Sequence, residues 1–178
     1  LYIGFVIAKL VHELGHASVC KYYGGEVHTL GIMLLMFAPM PYVDASSSWG
    51  FRNRMQRVFV GFAGVLSELS VAAVAALVWA ATAPGTLNSL AYNVIFASSV
   101  STLLFNLNPL LRFDGYHILV DLVDIPNLFQ RSREQLRYLI ERFLFRIPGV
   151  QPVARNRAEA VILPLYGVLS LGYWVILM

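Results

Sequence analysis

Four long apolar runs alternate with polar connectors along the chain. They cover about residues 1–23, 57–82, 88–107 and 158–178. Each run is close to the roughly 20 residues that a helix needs to cross the hydrocarbon core of a bilayer. The pattern predicts an all-α polytopic membrane protein with four transmembrane helices.

The connector after the first run contains a shorter apolar segment, residues 26–37. It is too short to span a bilayer as a helix, and irregular backbone at membrane depth must be buried in protein or line a cavity. We therefore expect a short re-entrant, β-hairpin-like segment, turned by Ala38-Pro39-Met40-Pro41. In the second long connector, 108–157, the amphipathic pattern of residues 136–147 predicts a helix lying along the membrane interface.

The arginines predict the orientation of the chain. All of them lie in the two long connectors or at their edges, and the short loop 82–88 carries no charged residue. By the positive-inside rule, the long connectors face the cytosol. The first helix then runs from outside to inside.

Composition supports the membrane interpretation. Hydrophobic residues make up 58% of the chain and charged residues 13%, against about 25% charged residues in soluble domains. The net charge of +3 is small, and no basic cluster interleaved with aromatic residues points to a nucleic-acid partner. The single cysteine, Cys20, excludes a disulfide within the chain. Because the sequence starts at Leu1 and stops inside an apolar run, we expect it to be part of a longer protein.

The first apolar run contains the candidate chemistry. His12 and His16 are four residues apart, so they lie on one face of a helix and are spaced to bind one zinc ion. Glu13 follows the first histidine, where the pattern H-E-x-x-H places a general base. The motif predicts half of a zinc site that sits nearer the cytosolic end of its helix.

A catalytic zinc site needs a third protein ligand. The candidates are Cys20, His28, Glu68, Asp114 and His117. We expect Cys20 to be a packing residue, and His28 and His117 to lie beside the metal site or in the substrate cleft. Glu68 lies too deep in its helix to match the depth of His12 and His16. Asp114 follows the Asn108-Pro109 break near the cytosolic side, and Gly115 beside it permits a sharp turn. Asp114 is therefore the favoured third ligand, although Asp-Gly is also a common turn sequence.

Two further charges lie inside apolar runs. By helical rise, Lys9 is roughly 21 Å and Glu68 roughly 18 Å from the cytosolic boundary. Either charge alone would be costly in hydrocarbon, so we expect the two to pair. The alternative is that Lys9 extends outward to the interface while Glu68 is neutral or faces water.

The two motifs together resemble those of a known family. His12-Glu13-Leu14-Gly15-His16 with Asn106 and Asp114-Gly115 is similar to the site-2 protease family of intramembrane zinc metalloproteases. The string from Asn108 to Leu119 resembles its bacterial branch of peptide zinc metalloproteases. The resemblance implies that His12, His16 and Asp114 bind one zinc ion and that Glu13 is the general base. It also implies a three-helix catalytic core, which matches the first three apolar runs, and an extended segment after the first helix that presents substrate. The fourth predicted helix is additional to this core.

The expected function is hydrolysis of a peptide bond in a membrane-embedded protein or a small peptide, in a bacterial inner membrane. Asn106, His117 and His28 are candidates for substrate or oxyanion contacts, and Asn106 could equally cap its helix. A non-catalytic subunit of a peptide export or maturation system is the main alternative. Two further alternatives are disfavoured. A metal-dependent membrane hydroxylase would need more histidines than the four present, and a structural metal site would need more than the three strong ligands that the sequence offers.

Overall fold

The computed structural model describes residues 2–35 and 38–178, which fold into two compact units, 1–122 and 123–178. The first unit contains, in order, α1 (Tyr2–Tyr22), β1 (Leu30–Leu35), β2 (Ala38–Val43), α2 (Arg54–Ala81), α3 (Thr86–Val100) and α4 (Asp114–Val123), the last of which ends at the unit boundary. The second contains α5 (Leu128–Leu139) and α6 (Arg157–Leu177). The single domain expected for residues 1–178 stays a prediction.

Three helical segments among the described residues are long and apolar enough to cross a membrane. They are α2, the segment Thr86–Asn106 that contains α3, and α6. All three lie close to runs predicted from the sequence. The helix α1 also forms where expected but is not among the three, because Lys9, His12, Glu13 and His16 interrupt its apolar surface. Its position as a fourth span stays a prediction.

The predicted hairpin is present, but its predicted turn was wrong. The strands β1 and β2 pair antiparallel from Leu30 opposite Val43 to Leu35 opposite Ala38. Ala38-Pro39-Met40-Pro41 therefore begins the second strand, and residues 36–37, which connect the strands, lie outside the described residues. Asp44 N–H donates to Thr29 C=O, at 3.0 Å. By alternation, Pro39 and Pro41 then fall on the outer edge of β2, where a missing N–H is tolerated.

The second long connector is more helical than expected. The helix α4 was not predicted, and α5 begins at Leu128, before the predicted start at residue 136. The helix α3 continues to Asn106 as a π-helical turn, Ser101–Asn106. The amphipathic segment predicted over 136–147 is instead the end of α5 followed by a second π-helical turn, Ile140–Leu144. Within the second unit, an ion pair between Arg131 and Glu159 joins α5 to α6.

Helices α1 and α2 pack closely at Gly15. A Cβ atom there would overlap the hydroxyl of Ser67 and lie 2.7 Å from the carbonyl oxygen of Ala63. Small residues permit such an approach between helices in lipid. The close contact brings the H-E-x-x-H face of α1 directly against the backbone of α2.

Candidate metal centre

Three potential ligand atoms lie close together where α1 contacts the start of α4: one from each of His12, His16 and Asp114. The Nε2 atoms of His12 and His16 lie 3.1 Å apart. Asp114 Oδ2 is 2.9 Å from the first of these nitrogens and 3.4 Å from the second. Ligands on a tetrahedral zinc ion lie roughly 3.3 Å from one another. The three side chains predicted from the sequence as ligands are therefore brought to metal-binding distances, and they form a metal-ligating group among the described residues.

The hydrogen bonds of the imidazoles determine which nitrogens face the metal position. His16 Nδ1 is 2.7 Å from the carbonyl oxygen of Val60, and His12 Nδ1 is 3.0 Å from Glu68 Oε2. Both partners only accept hydrogen bonds when Glu68 is ionised, so both Nδ1 atoms carry the proton in the neutral rings. The two Nε2 lone pairs and the Asp114 carboxylate then face one another. Three acceptors this close repel unless a proton or a metal ion lies between them. Two imidazole nitrogens and one carboxylate are also the donor set of many zinc sites.

The helix α2 provides a face that matches the zinc motif turn for turn. Val60, Gly64 and Glu68 are spaced by four residues, so they lie in a row along α2. His16 contacts the first of these residues and His12 the last. The two helices therefore run antiparallel in register, with glycine opposite the metal-binding nitrogens.

Gly64 leaves the space that the two imidazoles fill. A Cβ atom there would lie 2.7 Å from His12 Nε2 and closer still to His16 Nε2. A side chain at this position would also lean over the preceding turn and cover the Val60 carbonyl that His16 uses. The sequence alone does not distinguish this glycine from the other small residues of α2. The space above Gly64 therefore fits two imidazoles that could ligate zinc.

Asp114 is the first residue of α4 and reaches the two imidazoles from outside the long helices α1 and α2. Burial favours the neutral acid, but when the imidazoles are protonated their hydrogen bonds and positive charges outweigh it and hold the pKa of Asp114 below its ordinary value. Gly115 does not form the sharp turn expected from the sequence. Its backbone is helical, and a Cβ atom would overlap the backbone carbonyl of Leu107. The glycine lets α4 start directly against the end of the π-helical turn.

Glu13 lines a cavity of about 420 Å³ together with His16 and Asp114. Its Oε2 accepts a hydrogen bond of 3.1 Å from the backbone N–H of Val43, on the outer edge of β2. The candidate general base is therefore held between the metal-ligating group and the hairpin. The sequence offers no signal for this contact, since it depends on how the hairpin folds back on α1.

One face of α4 lines the same cavity. Asp114, His117 and Asp121 share it through their spacing of three and four residues. Arg57 Nε donates to Asp121 Oδ1 at 2.6 Å and so fastens α4 to the start of α2. The ring of Trp49 lies 6.1 Å from that of His117. Burial lowers the pKa of His117, which favours the neutral imidazole in the cavity. This spacing was visible in the sequence, but only a predicted helix would have revealed it.

The other candidates lie away from the metal position. Asn106 donates to Glu68 Oε2 at 2.9 Å, beside the Nδ1 of His12 rather than its Nε2. His28 is exposed and pairs with Glu26, so neither residue lines the described cavity. Cys20 is buried, with its sulfur 3.3 Å from the hydroxyl of Ser47. Contacts of Asn106 and His28 with substrate stay predictions.

The buried charge pair expected from depth is present. Lys9 Nζ lies 3.2 Å from Glu68 Oε2, and the Glu68 side chain is completely buried. The same carboxylate oxygen reaches His12, a contact that depth alone did not indicate.

Comparison with known proteins points in the same direction. The chain is 29% identical over 119 residues to a Bacillus subtilis protein named "Putative peptide zinc metalloprotease protein YydH". The match covers 66% of this chain and 45% of that protein, so the chain spans less than half of its relative's length. No family model matches the chain, and no solved structure matches it. The similarity supports a zinc metalloprotease.

We expect Gly64→Ala to weaken zinc binding by at least about 100-fold, beyond what loss of a ligand's hydrogen-bond partner usually costs. The added methyl occupies the place of the two imidazoles, so they cannot keep their positions. Competition with a chelator on the purified chain measures the affinity. Gly172→Ala, also in a helix but with open space around its Cβ, is the control. Equal affinities for wild type and Gly64→Ala would contradict the role given to this glycine.

We expect Gly115→Ala to displace Asp114, because the new methyl meets the rigid backbone of Leu107. Zinc affinity should fall roughly tenfold or more, and the chain should lose about 1–3 kcal/mol of stability from overpacking. Chelator competition and thermal unfolding in detergent give the two quantities. Retention of both at wild-type values would show that α4 does not depend on this close approach.

Proposed function

We propose that the chain is the catalytic core of an intramembrane zinc metalloprotease of the site-2 type. One observation carries the proposal: His12, His16 and Asp114 point three hydrogen-bond acceptors at one place, and Glu13 lines the cavity beside it. A structural zinc site would close with a fourth protein ligand. Among the described residues only these three form such a group, which leaves a position for a reacting molecule.

Zinc bound by these three residues would supply Lewis-acid activation of water and of the peptide carbonyl. The remaining steps belong to the chain itself. Glu13 accepts a proton from the attacking water and passes it to the leaving amine. The hydrogen bond from Val43 N–H fixes one oxygen of this carboxylate. The general base is thereby held in one orientation.

The edge of the hairpin suits an extended substrate. A helix shields its own carbonyl groups, so a peptide must be unwound before it is cut. The outer edge of β2 has no N–H at Pro39 or Pro41, and that of Val43 is already used by Glu13. A strand lying along this edge can donate to β2 carbonyls, while its own carbonyls find no backbone donor there. Its carbonyl groups stay available for reaction.

The proposed location is a bacterial inner membrane with the active-site end toward the cytosol. Three apolar helices support a membrane location. The arginine distribution supports the orientation, because the short loop between α2 and α3 carries no charge. In this arrangement α1 is a further span in which Lys9, His12 and His16 face α2 and Glu13 faces the hairpin, rather than lipid. The substrate would be a membrane-embedded protein or a small peptide.

We expect Glu13→Gln to reduce cleavage by about 10²–10⁴-fold while leaving zinc bound. The amide keeps the size of the side chain and its bond to Val43 but cannot accept the proton. Mass spectrometry of cell membranes that contain either form compares the uncut membrane proteins and peptides that accumulate. Metal analysis of the purified chains gives the zinc content.

The control is Glu26→Gln, the same substitution at an exposed glutamate paired with His28. It should match wild type in both measurements. If zinc is bound in wild type and in Glu13→Gln and their peptide profiles are identical, the chain is not a protease, and a non-catalytic membrane subunit becomes the better description.

A further inference from the structure

Glu68 is the meeting point of three polar side chains in the apolar interior of the first unit. Its Oε2 lies 3.2 Å from Lys9 Nζ, 3.0 Å from His12 Nδ1 and 2.9 Å from Asn106 Nδ2. These donors come from α1 and from the π-helical turn after α3, while Glu68 itself lies on α2. The carboxylate is fully buried and thus joins three elements of the core at one atom.

We propose that Glu68 is the positioning residue of the metal site. Its carboxylate accepts the Nδ1–H of His12, which fixes the ring orientation and the tautomer that leaves Nε2 free for zinc. The inference rests on the proposed metal site but not on proteolysis. It gives the buried glutamate a role beyond pairing with Lys9.

The two histidine ligands are held by different means. His16 uses a backbone carbonyl, that of Val60, whose position is set by the helix itself. His12 has a side-chain acceptor, which must be held in place by its own partners. Lys9 and Asn106 do this, since each donates to the same oxygen and leaves the carboxylate charged and fixed.

A simpler role for Glu68 is to neutralise Lys9, because an unpaired charge in this interior would be costly. The two roles differ in one consequence. Removing both charges together cures the imbalance but does not restore a strong acceptor for His12. The double variant Lys9→Met/Glu68→Gln therefore separates charge balance from positioning.

The experiment uses the full chain in detergent and measures zinc affinity by chelator competition and the visible absorption of bound Co²⁺. We expect Glu68→Gln to weaken zinc binding roughly 10- to 100-fold and to change the Co²⁺ spectrum, because the neutral amide is a weaker acceptor for the Nδ1–H of His12 than the carboxylate. The double variant should keep both defects. Lys9→Met alone retains the acceptor and should weaken binding less than Glu68→Gln.

A matched control is Glu159→Gln, which removes another buried, ion-paired carboxylate, that of the Arg131 pair in the second unit. It should leave zinc affinity and the Co²⁺ spectrum unchanged. The double variant also guards against a single variant that fails to fold, since it buries no unpaired charge.

Wild-type zinc affinity and Co²⁺ spectrum in the double variant would overturn the inference, as would a wild-type chain that binds no zinc. Failure of the proposed function has a different signature. If Glu13→Gln leaves peptide profiles unchanged while the Glu68 variants lose zinc as expected, the chain is not a protease but Glu68 still positions His12.

Discussion

The close approach of α1 and α2 is the constraint on which the metal centre depends. At Gly15 and Gly64 each helix lacks the side chain that would hold the other away. Because the backbones come so near, the imidazole of His16 reaches a main-chain carbonyl of α2 and that of His12 reaches Glu68. A wider separation would remove both contacts at once, so helix packing and ligand orientation are one requirement.

The second requirement is electrostatic. An ionised carboxylate buried in an apolar core is costly unless its oxygens are hydrogen-bonded and its charge is compensated. Glu68 is compensated at one oxygen, Oε2, by Lys9, His12 and Asn106 together, while its Oε1 has no partner among the described residues. Each donor comes from a neighbouring element, so the carboxylate reaches its favourable state only when the elements have assembled. The same bonds that compensate the buried charge orient His12, one of the candidate zinc ligands.

Apolar runs, residue spacing and depth along the helices made much of the fold and of the candidate site predictable. The apolar runs predicted the long helices, the spacing of His12 and His16 predicted half of the candidate ligand set, and similar depth predicted the pair of Lys9 and Glu68. The break before Asp114 pointed to the third ligand. What the sequence did not reveal depends on tertiary contacts. The hairpin turn was misplaced because prolines that usually mark turns are also tolerated on an edge strand. The space beside Gly64 exists only once α1 is packed.

The π-helical turn after α3 links the remaining ligand to this network. Its last residue, Asn106, donates to the carboxylate that holds His12, and the carbonyl of the next residue, Leu107, packs against Gly115. The end of this turn therefore contacts Glu68, which holds His12, on one side. On the other side it contacts α4, the helix that carries Asp114. Any shift of the turn must disturb two ligands together. π-Helical turns are frequent at functional sites, and here the turn accounts for how residues far apart in sequence keep a common geometry.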